Sequence, residues 1–393
     1  MATSSDPIVI AGFARTPLGK FQGYLKDLSA PQLGAAAISG ALSMSGIPRD
    51  QVDKVIMGCV LGAGIGQAPA RQAALKARVD VSAACLTVNK MCGSGMEAIL
   101  LGNDLIRAGS AQVVVAGGME SMSNAPYLFL RNQSRAIGHQ TVYDHMILDG
   151  LEDPTEHRLM GEYAEDRAEE YGIDRNLQDT FARQSLERAL ASADDAQMAG
   201  GIVAVDIRSA KNEIRVDRDE LPKPADLEKI PGLKPVFRPG GTITPASSSG
   251  IADGAACVVL TKESIAKRWN IGIKARIVAH TTYAGPAAQF PVAPVHAIRK
   301  LFDLIDTDGS GVDLFEINEA FAVVPLIAMQ QLSLAHAKVN LQGGACAMGH
   351  PIGASGARIL VTLLSSLEKH RLETGLASLC IGGGEATAIV VQR

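Results

Sequence analysis

The sequence predicts an α/β protein made of two similar halves, with a long segment inserted into the first half. Short apolar runs alternate with helical runs along most of the chain, which is typical of βαβ units with buried mixed or parallel strands. The same order of runs occurs near both ends of the chain. Between residues 120 and 247 charged residues and prolines become more frequent.

The repeated order of runs is the observation that predicts two halves. Near the start, the strand-like run PIVIAGFARTP precedes a helix rich in small residues, SAPQLGAAAISGALSMSGIP, and a second strand-like run, DQVDKVIMGCV. Near the end, KARIVAHTTYAG, PVHAIRKLFDLI and SGVDLFEINEAFA repeat that order. We therefore place the N-terminal half at 1–119 and 248–272, the inserted segment at 120–247, and the C-terminal half at 273–393.

The inserted segment carries a charged, amphipathic helical pattern, EYAEDRAEEYGIDRNLQDTFARQSLERAL, and a proline-bearing stretch, LPKPADLEKIPGLKPVFRPG. Long insertions in compact folds usually form lids or binding segments. We interpret it as a loop domain that binds substrate. The alternative is a solvated elaboration that serves only oligomer contacts.

Length and charge exclude several classes of protein. Of the 393 residues 47% are hydrophobic, which is enough for two or three cores and rules out disorder. With 37 basic and 41 acidic residues the net charge is −4, and no basic run indicates nucleic-acid binding. No apolar stretch approaches the ~20 residues of a membrane span, and the first residues show no targeting pattern. We expect a cytoplasmic protein without a nucleic-acid or membrane partner.

Two of the six cysteines lie in glycine-rich settings that suit chemistry. Cys92, in MCGSGMEAILLG, precedes a predicted helix whose N-terminus favours the thiolate and thus a nucleophile. Cys380, in LCIGGGEA, ends a predicted strand where glycines let backbone N–H groups approach an oxyanion. The alternative for each is a small buried thiol. No two cysteines have the C-x-x-C spacing of zinc or dithiol sites, so we expect no metal.

A histidine and an asparagine complete the candidate set. His350 lies in GGACAMGHPIGASGAR just before a helical run, and an imidazole there could take a proton from a thiol and donate to an oxyanion. Asn318, in FEINEAFAVVP, lies where a strand leads into a helix, and its amide could orient a catalytic water. The alternatives are a structural histidine and a helix cap.

Two other sequence patterns are weaker indications of a functional site. The run from Asp306 to Ile317 begins like a calcium loop, but its twelfth residue is Ile317 instead of the required bidentate Glu. We interpret it as a turn ahead of a strand. The serine run from Ser247 to Ser249, with Asp253 nearby, lacks the G-x-S-x-G elbow of a serine hydrolase.

Five motifs, in order along the chain, resemble those of the thiolase family: NKMCGSGMEAI, GTITPASSSGIADGAA, INEAFA, GGACAMGHPIGASGARIL and LCIGGGEA. The match spans essentially the whole chain. It implies the thiolase fold, a duplicated five-layered αβαβα arrangement with an inserted loop domain that binds coenzyme A. It also implies a homotetramer that forms as a dimer of dimers.

The resemblance implies a role for each motif residue. Cys92 would carry the acyl group, and His350 would activate it and donate to an oxyanion. Cys380 would move a proton on the α-carbon of acetyl-CoA, and Asn318 would hold a water in that oxyanion hole. The backbone N–H groups of Cys92 and Gly382 would form a second hole. Claisen condensation needs these parts: a nucleophile, a base and donors to two oxyanions.

The resemblance also implies the substrates, which are acetyl-CoA, acetoacetyl-CoA and coenzyme A, with no tightly bound cofactor. The stretch YDHMILDGLEDPTEHRLMG is similar to that of acetoacetyl-CoA thiolases, where Leu151 and Met160 would line the pantetheine pocket. Ser249 would contact pantetheine as well. Phe290 stands where the family has a methionine at the rim of the acyl pocket, and Leu159 replaces a histidine.

Further coenzyme A contacts are implied with less motif support. Phe237 and Phe321 match aromatic positions near the coenzyme, and core packing is their alternative role. Lys223 and Lys234 lie in the segment that approaches the nucleotide. Two alternative functions remain: a degradative 3-ketoacyl-CoA thiolase of broader chain length, and a thiolase-like acyl-CoA or lipid carrier without turnover.

Overall fold

The computed structural model describes residues 6–131, 137–193, 201–208 and 213–393. The strands are β1 (Ile8–Arg15), β2 (Gly19–Lys20), β3 (Lys54–Gly58), β4 (Ala84–Val88), β5 (Val113–Ser121), β6 (Tyr127–Leu128), β7 (Tyr143–Asp144), β8 (Val205–Arg208), β9 (Glu213–Val216), β10 (Ala252–Lys262), β11 (Ala275–Ala284), β12 (Leu314–Ile317), β13 (Thr374–Ile381) and β14 (Glu385–Gln392). The α-helices are α1 (Ala30–Ser45), α2 (Pro69–Lys76), α3 (Ser94–Arg107), α4 (Met160–Glu170), α5 (Arg175–Ala193), α6 (Glu263–Arg268), α7 (Ala293–Leu304), α8 (Val323–Leu332), α9 (Ala345–Met348) and α10 (Ile352–His370).

Four central strands pair in the same way in each half, and the first half has one further strand, β4, at its edge. In the first half the order is β4-β3-β5-β10-β1, and in the second it is β12-β13-β14-β11. The pairs β3–β4, β3–β5 and β12–β13 are parallel, and the remaining pairs within these two sets are antiparallel. Strands β1 and β11 join the two sets through only two residue pairs. The predicted mixed α/β architecture with duplicated halves is confirmed.

Helices cover both faces of the paired strands and give five layers. Helices α1 and α2 pack on the outer face of the first half, and α7 packs on the outer face of the second, next to α8. Helices α3 and α10 lie between the halves, where α10 contacts strands of both sets. Strands β1, β5 and β10 are buried along nearly their whole length because they are covered on both faces. This is the αβαβα arrangement that the sequence resemblance implies.

The N-terminal ends of α3 and α10 approach each other closely at two glycines. A Cβ atom on Gly356 would lie 2.5 Å from the backbone nitrogen of Met96. A Cβ on Gly95 would lie 3.0 Å from the backbone nitrogen of Ala357. Because α3 begins two residues after Cys92, and α10 two residues after His350, this contact brings both loops to the same place between the halves.

The segment between β5 and β10 holds α4, α5 and two small antiparallel sheets, β6–β7 and β8–β9. The charged helical pattern of this segment forms two helices because the chain turns at Gly172, where φ is +66°. Helix α5 packs against α8 and α9 of the C-terminal half. Within the described ranges, no helix combines the length and the apolar character that crossing a membrane requires.

The acidic run that begins at Asp306 forms a turn that leads into β12, as predicted. Its Asp308 carboxylate accepts a hydrogen bond from the backbone N–H of Ser310 at 2.8 Å, so it serves the turn itself. In the described part of the chain, no three His, Cys, Asp or Glu side chains form a group suited to hold a metal ion.

The close contact between α3 and α10 leads to a stability prediction. We expect Gly356→Ala to lower the melting temperature by a few degrees, because the new methyl group meets backbone atoms. Overpacking of this kind costs about 1–3 kcal/mol, which exceeds the gain of about 1 kcal/mol from replacing a helical glycine. Gly272→Ala is the matched control, since a Cβ there meets nothing within 4 Å. A melting temperature of Gly356→Ala at or above that of the wild type would contradict this packing.

Candidate active site

A cavity of about 50 Å³ lies where the loops before α3 and α10 meet the loop after β13. Nine of the predicted site residues line it. They are Cys92, Leu151, Met160, Ser249, Phe290, Phe321, His350, Cys380 and Gly382. The structure thus brings together residues that are separated by up to 290 positions in the sequence. A larger cavity of about 260 Å³ adjoins it and shares several of these residues.

Cys92 lies at the end of a constrained turn, two residues before α3. Met91 has a left-handed backbone with φ of +46°, and the Ser94 hydroxyl donates to the Met91 carbonyl at 2.6 Å. Burial raises the pKa of the Cys92 thiol to about 11. The backbone N–H groups of Gly382 and of Cys92 itself lower this pKa, but by less than burial raises it. The lowering of the pKa that is expected near a helix N-terminus is thus outweighed by burial, and the thiol is the favoured form. Cys92 remains partly exposed because its thiol faces the cavity, although protein atoms pack densely around it.

His350 is held by its backbone and by its ring. Gly349 has φ of +98°, and a Cβ there would lie 2.6 Å from the Cβ of Ala252, so only glycine fits. The backbone N–H of His350 donates to the Gly250 carbonyl at 2.8 Å. Burial lowers the pKa of His350 to about 3, with a smaller contribution from the positive charge of Arg358, so the ring is neutral.

The hydrogen bonds of Ser355 fix the tautomer of this neutral ring. The Ser355 hydroxyl donates its one hydrogen to the Pro351 carbonyl at 2.9 Å. It must then accept from Nδ1–H of His350, with which it is in hydrogen-bond contact. Nε2 therefore carries the lone pair, and it has no partner among the described residues. An imidazole in this state can accept the proton of a thiol.

Cys380 is the last but one residue of β13 and faces the same cavity from the other half. It is 1% exposed, and burial together with the nearby Cys92 raises its pKa well above the usual range. After it the chain turns through Gly383 and Gly384, whose φ angles are +93° and +89°. The turn places the backbone N–H of Gly382 at the Cys92 thiol. The amide that the sequence assigns to the second oxyanion hole therefore lies beside the nucleophile.

Asn318 does not line this cavity, although Ala320 and Phe321, which follow it closely in the chain, do. Its backbone N–H donates to the Ser378 carbonyl at 3.0 Å, and its side chain is 1% exposed. Arg358 donates to the Asn318 Oδ1 at 3.1 Å, while the Asn318 Nδ2 has no partner among the described residues. An unpaired buried donor is costly in a folded protein. This N–H group can thus still donate a hydrogen bond, as the predicted water-holding role requires.

The serine segment and the INEAFA segment pair with each other and form one wall. The backbone N–H of Ser249 donates to the Ala320 carbonyl at 3.0 Å, and that of Ala322 to the Ser247 carbonyl at 2.8 Å. Ser249 consequently lines both cavities. The pairing explains why two distant motifs act as one wall.

Three phenylalanines pack against each other beside the two cavities. The ring of Phe321 makes edge-to-face contacts with Phe237, at 5.6 Å between centroids, and with Phe290, at 6.2 Å. Phe290 is 2% exposed and lines the small cavity, whereas Phe237 lines only the larger one. The aromatic positions predicted from the sequence therefore belong to one cluster.

The two lysines that the resemblance places near the nucleotide of coenzyme A lie outside both cavities. Lys223 and Lys234 are exposed and line neither of the two cavities. Lys229, from the same segment, lines a separate cavity of about 260 Å³ together with Asp226 and Cys346. The roles of Lys223 and Lys234 remain predictions.

Sequence reasoning missed three residues that support the site. Ser355 and Arg358 lie in α10 and act on His350 and Asn318 as described. Glu120 is fully buried at the end of β5, and its carboxylate accepts backbone N–H groups from Val60, Leu61 and Gly353 at 2.8–3.1 Å. It thereby ties the N-terminus of α10 to the end of β3. A charged residue inside an otherwise apolar strand, as in VVVAGGMES, is the signal that could have indicated Glu120.

Comparison with known proteins defines the class of protein. The model of the thiolase N-terminal domain matches residues 8–264, and that of the thiolase C-terminal domain matches residues 271–393. Together they cover nearly the whole chain, so this chain belongs to the thiolase family.

Individual relatives are similar over their full length. An acetyl-CoA acetyltransferase of Pseudomonas aeruginosa is 43% identical over 390 residues, which is 98% of this chain and 99% of the relative. The mitochondrial acetyl-CoA acetyltransferase A of Xenopus laevis is also 43% identical, over 99% of this chain and 92% of the relative. A crystal structure of the Bacillus anthracis acetyl-CoA acetyltransferase superposes with a TM-score of 0.96 at 36% identity and covers 99% of both chains.

The opposite pKa shifts of Cys92 and His350 lead to a pH prediction. Burial disfavours both charged forms, so thiol and neutral imidazole are the stable pair. Below the pKa of a thiol the thiolate fraction rises tenfold per pH unit. We expect the rate of Cys92 alkylation by iodoacetamide, measured by peptide mass spectrometry, to rise about tenfold per unit from pH 7 to 9.

A free cysteine derivative is the control, and its rate should level off near its pKa of about 8.5. A Cys92 rate that stays flat from pH 7 to 9 would contradict the neutral pair, because it would indicate a preformed thiolate beside an imidazolium.

Proposed function

We propose that this thiolase is an acetyl-CoA C-acetyltransferase, which cleaves acetoacetyl-CoA with coenzyme A into two acetyl-CoA molecules and catalyses the reverse condensation. The observation that carries the proposal is one small cavity that holds two thiols and a neutral imidazole and is closed by Phe290. The names of the relatives that are 42–43% identical over the full chain support the same activity.

The first half of the cleavage uses Cys92, His350 and Cys380. His350 Nε2 takes the proton of Cys92, and the thiolate adds to the ketone carbon of acetoacetyl-CoA. The carbon–carbon bond breaks, and the electron pair passes to the enolate of acetyl-CoA. Cys380 protonates the enolate carbon, acetyl-CoA leaves, and Cys92 carries the acetyl group. The raised pKa of Cys380 suits this step because it keeps the side chain a protonated acid until the enolate forms.

The second half returns the site to its starting state. Coenzyme A gives its thiol proton to the Cys380 thiolate and attacks the acetyl group on Cys92. The Cys92 sulfur leaves and recovers its proton from His350. The backbone N–H groups of Gly382 and Cys92 would stabilise the oxyanion of this thioester. His350, together with a water held by Asn318, would stabilise the enolate oxygen. Both thiols end protonated, in agreement with their raised pKa values.

Coenzyme A is a substrate of the proposed reaction, and the larger cavity would receive its pantetheine arm. The walls of that cavity are mostly apolar and include Leu151, Met160 and Phe237, with Ser248 and Ser249 as polar groups. Sites for small molecules typically combine apolar walls with a few placed polar groups. In the described part of the chain, these apolar walls and polar groups come from three separate segments.

We also propose a homotetramer and a cytoplasmic location. Within the described residues β4 pairs only with β3, and its Leu86 is 50% exposed, which leaves an edge that a second copy could cover. The molar mass in solution, from light scattering, tests the tetramer. All six cysteines are free thiols, which suits a reducing compartment, and microscopy of the tagged protein tests the location.

Chain-length specificity tests the proposed activity. A cavity of about 50 Å³ has room for only a few heavy atoms, so we expect thiolysis of acetoacetyl-CoA and little of longer 3-ketoacyl-CoA substrates. Phe290→Ala should raise kcat/KM for 3-ketohexanoyl-CoA relative to acetoacetyl-CoA by at least about tenfold, since it removes the closing ring.

Phe302→Ala is a matched control, because Phe302 packs in the same core cluster but does not line either cavity. Wild-type turnover that rises with chain length would assign the protein to the degradative thiolases. No turnover of any substrate, with Cys92 still open to alkylation, would indicate a carrier.

A further inference from the structure

A fully buried arginine lies beneath the proposed site. Arg358 is 1% exposed and lies on α10, two helical turns after His350. Its Nη2 donates to the Asn318 Oδ1 at 3.1 Å, and its Nη1 lies 3.9 Å from a carboxylate oxygen of the buried Glu316. Burying a charge costs several kcal/mol unless it is well paired. The described contacts of Arg358 are few, so they do not by themselves account for a buried charge at this place.

The chemistry of the guanidinium determines which way the Asn318 amide faces. A guanidinium only donates hydrogen bonds, so the atom of Asn318 that it contacts must be the oxygen. The NH2 group is then on the other edge of the amide. Without Arg358, rotation by half a turn about the last side-chain bond would exchange oxygen and nitrogen, since this torsion has two broad minima.

The backbone around Asn318 is held without help from Arg358. Asn340 bonds to both the N–H and the carbonyl of Ile317, each at 2.8 Å. The Glu319 carboxylate accepts from the Ser185 hydroxyl at 2.7 Å and from Asn340 at 2.8 Å. These bonds fix both neighbours of Asn318 in the chain. Among the described contacts, only the bond from Arg358 acts on the Asn318 side chain.

We propose that Arg358 is a positioning residue that holds the Asn318 amide with its N–H group available to the water that would serve the enolate oxygen. The inference rests on the proposed function, in which Asn318 serves the enolate. Arg358 acts through Asn318 and does not itself touch the substrate. Acetylation of Cys92 uses the other oxyanion hole, formed by the backbone of Cys92 and Gly382. The two half-reactions should therefore respond differently to the loss of Arg358.

A double-mutant cycle on the full-length protein tests this role. Thiolysis of acetoacetyl-CoA by coenzyme A is measured for the wild type, Arg358→Met, Asn318→Ala and the double variant. We expect Asn318→Ala to lower kcat by about a hundredfold to a thousandfold, the range for loss of an oxyanion-hole donor. Arg358→Met should lower kcat in the same direction and by no more than Asn318→Ala. The double variant should be no slower than Asn318→Ala alone, because Arg358 has nothing left to position.

Acetylation of Cys92 by acetyl-CoA, followed by mass spectrometry, is the second readout and should change less than about threefold in Arg358→Met. Arg188→Met is the matched control. Arg188 is a partly buried arginine nearby that donates to the Val339 carbonyl at 2.7 Å and has no described bond to Asn318. It should not change the ratio of thiolysis to acetylation.

Losses that multiply in the double variant, or an equal loss of acetylation and thiolysis in Arg358→Met, would overturn the positioning role while the proposed function stands. If Arg358→Met does not fold, Arg358→Gln with and without Asn318→Ala provides the cycle, because a glutamine amide both donates and accepts and so no longer fixes which edge of the Asn318 amide it meets. A wild-type protein without thiolysis would refute the proposed function, and this inference with it.

Discussion

The close contact between the N-terminal ends of α3 and α10 is the constraint on which the site depends. Each helix begins just after a chemically active residue, Cys92 or His350, and the two come from opposite halves of the chain. Gly95 and Gly356 let the two helix backbones meet without intervening side chains. Glu120 adds a second tie, since its carboxylate binds the start of α10 to the end of β3. The duplicated fold therefore produces the site at the boundary between its two copies.

Burial then determines the protonation states of the side chains at that boundary. Both thiols have raised pKa values and His350 has a lowered one, so all three groups rest uncharged. A site of this kind transfers protons during the reaction and does not store a thiolate–imidazolium pair beforehand. In the proposed reaction, backbone N–H groups and the Asn318 amide would provide the stabilisation when charge develops. Those donors are fixed by the fold and need no rearrangement.

Much of this could be predicted from the sequence because the informative residues lie in local patterns. Alternating apolar and helical runs indicate the α/β architecture, and glycine-rich motifs mark Cys92, His350 and Cys380. The protonation state of Cys92 could not be predicted in this way, since it depends on burial by segments that are distant in sequence. The helix N-terminus suggested the opposite. The roles of Ser355 and Arg358 could not be predicted either. Their partners lie in the loop before α10 and at the end of β12, and they come into contact only in the folded chain.

Acetyl transfer to Cys92 is the central claim, and direct labelling tests it. The wild-type protein would be incubated with acetyl-CoA labelled in the acetyl group, quenched in acid, digested and analysed by peptide mapping. We expect the label on the peptide that contains Cys92 alone, and its loss when unlabelled coenzyme A is added before the quench. Label on Cys380 or on another residue, or turnover of acetyl-CoA with no labelled peptide, would contradict the account.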